Sequence, residues 1–202
     1  MTSSLRERRR QQLRDEILDA AAKLLGQKGY PGVSMDDLAA HVGISKPTLY
    51  SYFGTKDELI AETLTRQLER LIALAQTSTP GHTPLQRLIT LMEAAIRLQF
   101  DEHQQPLQPW TPDLREVLQQ HPQPLERLRV LDGAVGALVG EAMVAGEIDA
   151  GLDVGTLVRG FFALITSVRL FPFGSTSAPT PQTAIPALLA LFTRGVCVAA
   201  RP

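Results

Sequence analysis

The chain has 202 residues, of which 44% are hydrophobic, and 20 basic residues against 21 acidic ones give a formal net charge of −1. That length and apolar share exclude a wholly disordered polymer and allow one domain or two small ones. A single cysteine, Cys197, excludes an internal disulfide framework and fits a reducing compartment.

No uncharged apolar run approaches the roughly 20 residues that a membrane-spanning helix needs. The basic N-terminal stretch has no signal-peptide apolar core, because charges recur through Asp19. The expectation is a cytoplasmic protein with no membrane partner. Charge is unevenly spread: residues 1–56 hold nine lysines and arginines against six acids, a net +3, and the remainder holds 11 against 15, a net −4. The basic end is the candidate surface for a polyanion.

In chain order, Leu13, Ile17, Ala20, Ala21, Leu24 and Leu25 recur at helical spacing and predict an amphipathic helix over about Arg8 to Lys28, stopped by Gly29. Three helix-start signals follow. Ser34 stands three residues before Asp37, with Val33 and Leu38 as a hydrophobic staple. Ser45 repeats the arrangement with Ile44 and Leu49, and Pro47 falls in the first turn, where its missing N–H does no harm. Thr55 with Glu58 opens a longer helix through Leu59, Leu64, Leu68, Leu71 and Ile72. Three caps so close together predict two short helices before a long one. Between the short pair, Gly43 is free to take a positive φ, and two short helices joined by such a turn describe a helix-turn-helix.

The second member of that pair carries "SKPTLYSYFGTK", residues 45 to 56, rich in hydrogen-bond donors. Such a helix fits the DNA major groove and offers donors to phosphates and base edges. With the turn geometry set aside, the same segment reads as a solvated helix of an all-α protein.

Beyond it, "QTSTPGHTP" is a joint. Leu85 to Phe100, Leu114 to Gln119, Leu125 to Ala145, Val154 to Leu170 and Thr183 to Ala199 read as further helices, with "DEHQQPLQPWTPD" and "FPFGSTSAPTP" as connections. No strand-like alternation of useful length occurs, so the expected class is all-α.

Ile17 to Ile60, "ILDAAAKLLGQKGYPGVSMDDLAAHVGISKPTLYSYFGTKDELI", resembles the DNA-binding domain of the TetR family of bacterial transcriptional regulators. The resemblance rests on Ala21, Leu25, Gly29, Ser34, Leu38, Ala39, Gly43, Ser45, Thr48, Leu49, Tyr50, Tyr52, Phe53, Lys56 and Leu59, and covers about the first third of the chain. It implies that Lys46 to Phe53 is the recognition helix. Lys46, Pro47 and Thr48 would face the bases, and Ser45, the cap, is a DNA-contact candidate beside them. Ser51 and Tyr52 would meet the groove edge, and Ser34, Tyr50 and Lys56 the phosphates. Lys56 also stands at a helix N-terminus, where backbone N–H groups favour an anion.

The implied organisation is a helix-turn-helix domain over residues 1–56, followed by a helical regulatory and dimerisation domain over 57–202 whose first part, 57–76, is a connecting helix. The resemblance further implies a homodimer on a double-stranded DNA operator and a pocket for a small lipophilic ligand. Phe100, Trp110, Phe161, Phe162, Phe171 and Phe173 are candidate pocket aromatics, with plain core packing as the other reading, and Arg97, Arg159 and Arg169 are candidates to meet an anionic ligand end or to lie on the surface. A repressor is the expected function. A DNA-binding protein controlled by a protein partner, with no small-molecule input, stays open beside it.

His41, His82, His103 and His121 have no zinc-site spacing, and neither a Gly-x-Ser-x-Gly elbow nor a Gly-rich phosphate loop occurs. No metal, cofactor or catalytic residue is therefore expected, and an enzyme on this scaffold lacks positive support.

Overall fold

Capping chemistry and two left-handed glycines decide where the N-terminal helices begin and end. The computed structural model describes residues 4–77, 80–100, 112–168 and 179–197. Among these residues every regular element is a helix: α1 Leu5–Gly32, α2 Met35–Val42, α3 Lys46–Tyr50, α4 Lys56–Gln76, α5 Pro84–Phe100, α6 Pro112–Gln120, α7 Gln123–Val144, α8 Val154–Ser167 and α9 Pro181–Val196. The chain is all-α.

The first helix starts earlier than the apolar spacing predicts. Ser4 and Glu7 form a capping box, in which the Glu7 N–H donates to Ser4 Oγ at 3.2 Å and the Ser4 N–H donates to Glu7 Oε2 at 2.7 Å. Its regular part stops where expected, because Gly29 takes φ 68° and ψ 172° inside α1, a backbone that side-chain-bearing residues avoid. The following turn closes when the Val33 N–H donates to the Tyr30 carbonyl at 3.3 Å.

The chain divides into two units, Met1–Leu68 with Asp101–Glu126, and Glu69–Phe100 with Arg127–Pro202. In the first, Ile17, Ala21 and Leu24 of α1 pack with Leu38 of α2, Leu49 of α3, Phe53, and Leu59 and Ile60 of α4. Leu114, Val117 and Leu118 of α6 complete the same cluster. The division falls inside α4, where Leu59, Ile60 and Leu64 bury their side chains in this core.

In the second unit α5, α8 and α9 pack on one another. Leu88, Met92 and Ile96 are buried on α5, as are Val135, Leu138 and Val139 on α7. Phe161 of α8 sets its ring edge-on to Phe192 of α9, with centroids 5.7 Å apart, a favoured aromatic geometry. Arg87 fastens this unit by donating from Nη2 to the Ala75 carbonyl at 3.1 Å and from Nη1 to Glu141 at 3.3 Å.

Candidate nucleic-acid interface

Ser34 Oγ accepts the Asp37 N–H at 3.0 Å and so starts α2. Gly43 ends it at φ 77°, while the Ile44 N–H returns to the Ala39 carbonyl at 3.0 Å. That reversal leads directly into α3, where Ser45 Oγ accepts the Thr48 N–H at 3.3 Å and lies 2.7 Å from the Thr48 hydroxyl. The turn is a helix-turn-helix in geometry as well as in sequence.

The second member of the motif is shorter than the recognition helix expected over Lys46 to Phe53. Its helix covers only Lys46–Tyr50, because the Ser51 N–H donates to both the Pro47 and Thr48 carbonyls at 3.1 Å and the Ser51 hydroxyl donates to the Thr48 carbonyl at 2.6 Å. The last turn is thereby tightened and the helix stops. Two anchors still hold it, since Leu49 and Phe53 are fully buried. With those inward, Ser45, Lys46, Pro47, Tyr50 and Ser51 stand exposed, as does Ser34 at the start of α2, and Thr48 and Tyr52 are half-buried.

Two lysines expected at DNA are engaged within the protein. Lys46 Nζ lies 2.7 Å from Asp36 Oδ1 on α2, and the hydrogen bond and charge of Asp36 hold its ammonium above the usual lysine range. Lys56 is half-buried, donates to the Tyr30 carbonyl at 2.6 Å and sits 4.0 Å from the centre of the Tyr30 ring. The Tyr30 hydroxyl in turn donates to Asp57. Tyr30 thus clamps the last turn of α1, past Gly29, to the start of α4. Sequence reasoning missed it, although a tyrosine just past a helix-stopping glycine was visible.

Arg14 makes a second link that charge counting alone does not show. Its Nε donates to Glu62 at 2.8 Å, its Nη1 donates to the Tyr52 carbonyl at 3.3 Å, and its guanidinium lies 4.6 Å from the Phe53 ring centre. One arginine therefore fixes the segment after α3 against both α1 and α4.

The candidate ligand residues are less concentrated. Phe161 is buried and meets Phe162 edge-on at 5.4 Å, while Phe100 is half-buried at the end of α5. Arg97 is exposed and donates to Glu93 at 2.6 Å, and Arg159 is exposed and donates to the Thr156 hydroxyl at 3.1 Å. Trp110, Arg169, Phe171 and Phe173 lie outside the described residues.

Residues 17–63 match the family model described as bacterial regulatory proteins, tetR family. The chain is 34% identical over 98 residues to the HTH-type transcriptional activator FasR of Mycolicibacterium smegmatis, covering 46% of this chain and 42% of that protein. It is 33% identical over 84 residues to the HTH-type transcriptional repressor KstR of Rhodococcus jostii, covering 42% of this chain and 39% of that protein. The matches thus span about two fifths of the length of these curated relatives. Over 90% of this chain, the fold is similar to the solved structure of the transcriptional regulator FadR from Bacillus subtilis in complex with stearoyl-CoA, with a TM-score of 0.65, 19% identity and 98% of that chain covered. Residues 17–63, within the helix order described above, are thus similar to the tetR family of bacterial regulatory proteins.

Proposed function

We propose that this protein is a homodimeric, ligand-responsive transcriptional repressor that binds an inverted-repeat DNA operator through α2 and α3. The observation that carries the reading is the α3 segment itself: Leu49 and Phe53 anchor it in the core while Ser45, Lys46, Pro47, Tyr50 and Ser51 are left outward. A surface helix with inward anchors and outward donors is what major-groove reading requires. Two copies related by a two-fold axis set their recognition elements one helical turn of DNA apart, about 34–36 Å, or a multiple of it.

The regulatory part, residues 57–202, supplies the dimer contact through the outer faces of α8 and α9. Leu191 is 62% exposed, and Leu157, Leu164 and Leu188 are half-buried in the single chain, as an apolar seam awaiting a partner would be. A lipophilic molecule with a polar or anionic end binds within the helices of the same part and favours a spacing of the recognition elements that no longer fits the operator. FadR, a chain of the same fold, is solved with stearoyl-CoA, which supports ligands of that general character. A coupling of about 1–3 kcal/mol changes DNA affinity roughly 5- to 150-fold.

The test begins with selection of duplexes from a randomised library. An enriched inverted repeat is expected, and selection of no sequence would overturn the reading. Fatty acids and acyl-CoA thioesters of varied chain length are then screened for thermal stabilisation and for release of the selected duplex. Compounds that stabilise the protein without releasing DNA would argue for control by a protein partner instead.

A further inference from the structure

The buried seam of α1 changes chemistry part way along the helix. From Ala22 back to Leu18 it is apolar and buried. One turn earlier the same line carries Arg14, then Arg10, then Arg6, at the i, i+4 spacing that keeps side chains on one helix face. Every residue from Ser4 to Gln12 is exposed, so these first turns extend roughly 12 Å past the core at 1.5 Å per residue. Their helix is held by the Ser4–Glu7 capping box and by side-chain bonds from Gln11 to Asp15 and Gln12 to Glu16.

The arginine line runs toward the recognition element. Arg14 bonds the Tyr52 carbonyl, and the Arg10 guanidinium stands 5.7 Å from the centre of the Tyr52 ring. Acids on α1 are engaged elsewhere: Glu7 caps the helix, and Asp15 and Asp19 pair with Arg66 of α4. Arg14 has Glu62 as its carboxylate, but no ion pair joins Arg6 or Arg10 to a carboxylate among the described residues. Guanidiniums on an exposed, preformed helix beside a groove-reading segment are suited to phosphate oxygens.

We infer that Arg6 and Arg10 form a second line of DNA contact, a phosphate clamp continuous with the edge of the recognition element at Tyr52. The inference rests on the reading of α2 and α3 as the DNA-reading pair. Arg10, held against the Tyr52 ring, meets a phosphate beside the groove entered by α3. Arg6, about 6 Å further along the helix axis, meets the backbone beyond it. The clamp carries affinity and salt dependence but no base information.

The experiment measures log K against log salt for wild type, Arg6→Ala/Arg10→Ala and Arg6→Lys/Arg10→Lys, on a duplex selected by wild type and on a random-sequence duplex. The alanine pair is expected to flatten the slope on both duplexes by about 0.9 for each phosphate no longer neutralised, with base preference and melting temperature unchanged. The lysine pair restores most of the slope. Arg129→Ala, which removes an exposed charge on α7, leaves the slope as in wild type. An alanine pair with a wild-type slope overturns the clamp while the α2–α3 reading stands. So does an equal flattening in Arg129→Ala, since the effect then belongs to net charge. Wild type that retains no duplex at all overturns both.

Discussion

Lys46 at the start of α3 and Asp36 in the first turn of α2 form an exposed ion pair, with Lys46 Nζ 2.7 Å from Asp36 Oδ1. The lysine proposed to meet a base edge is therefore held by the other helix of the motif. Exposed ion pairs open at small cost, so DNA competes with Asp36 for the ammonium. Asp36→Asn should strengthen binding to all duplexes and steepen the salt dependence. Measured affinities on random-sequence DNA that do not change would show that Asp36 places no restraint on Lys46. Lys46→Ala, by contrast, should relax base preference at one symmetric pair of operator positions by about tenfold or more.

Lys56 combines a contact within the protein with a proposed phosphate contact, and the two can be separated. Its ammonium donates to the Tyr30 carbonyl and lies over the Tyr30 ring, so Lys56→Ala should lower thermal stability as well as flatten the salt slope on DNA. Tyr30→Phe keeps the ring and removes the hydroxyl bond to Asp57. It should cost about 1.5–3 kcal/mol, the range for hydrogen bonds to charged groups. Denaturant unfolding of the two variants checks this, and an unaltered midpoint in both would remove Tyr30 as a clamp.

Phe161 and Leu191 separate the buried core from an exposed apolar face in the C-terminal unit. Leu157, Phe161 and Leu164 of α8 and Leu188, Leu191 and Phe192 of α9 recur at helical spacing, but Phe161 and Phe192 turn inward and are buried. Phe161→Ala should therefore destabilise the fold by about 3–5 kcal/mol. Leu191→Glu should leave the folded chain intact and yield monomers with weak operator affinity. Sedimentation that still finds dimers for Leu191→Glu would remove α9 from the interface.

Asp153 caps α8, accepting the Thr156 N–H and hydroxyl, each at 2.7 Å. Those hydrogen bonds, with a smaller contribution from Arg159, hold its carboxyl below the usual range. A lowered folded value means that stability from this cap is present above the unfolded value of about 3.9 and is lost as pH falls through the folded one. Asp153→Asn should remove that part of the acid dependence while keeping most of the cap. A wild-type stability curve below pH 5 in the variant would contradict it.

The α2–Gly43–α3 motif was legible because its signals are local: Ser34, Gly43 and Ser45 act on backbone groups within four residues. Helix order was legible for the same reason, through apolar spacing. What the sequence hid lies in contacts between distant segments. Arg14 with Glu62, Tyr30 with Asp57 and Lys46 with Asp36 join different helices, and no periodicity encodes such pairs. The place of α6 in the N-terminal core was hidden too, since Leu114 lies some fifty residues from Leu64 in the chain. The early start of α1 was visible in Ser4 and Glu7, yet apolar spacing drew attention away from it.

Only five residues form α3, too few for a helix to persist by itself. Its form is borrowed from Leu49 and Phe53, while its chemistry resides in neighbours that those anchors do not constrain. Outward positions can therefore change during divergence of duplicated copies without unfolding the scaffold. On the proposed DNA-reading role of α3, a descendant of this chain can acquire a new binding sequence by surface replacements at Lys46, Pro47, Tyr50 and Ser51, keeping its interior unaltered.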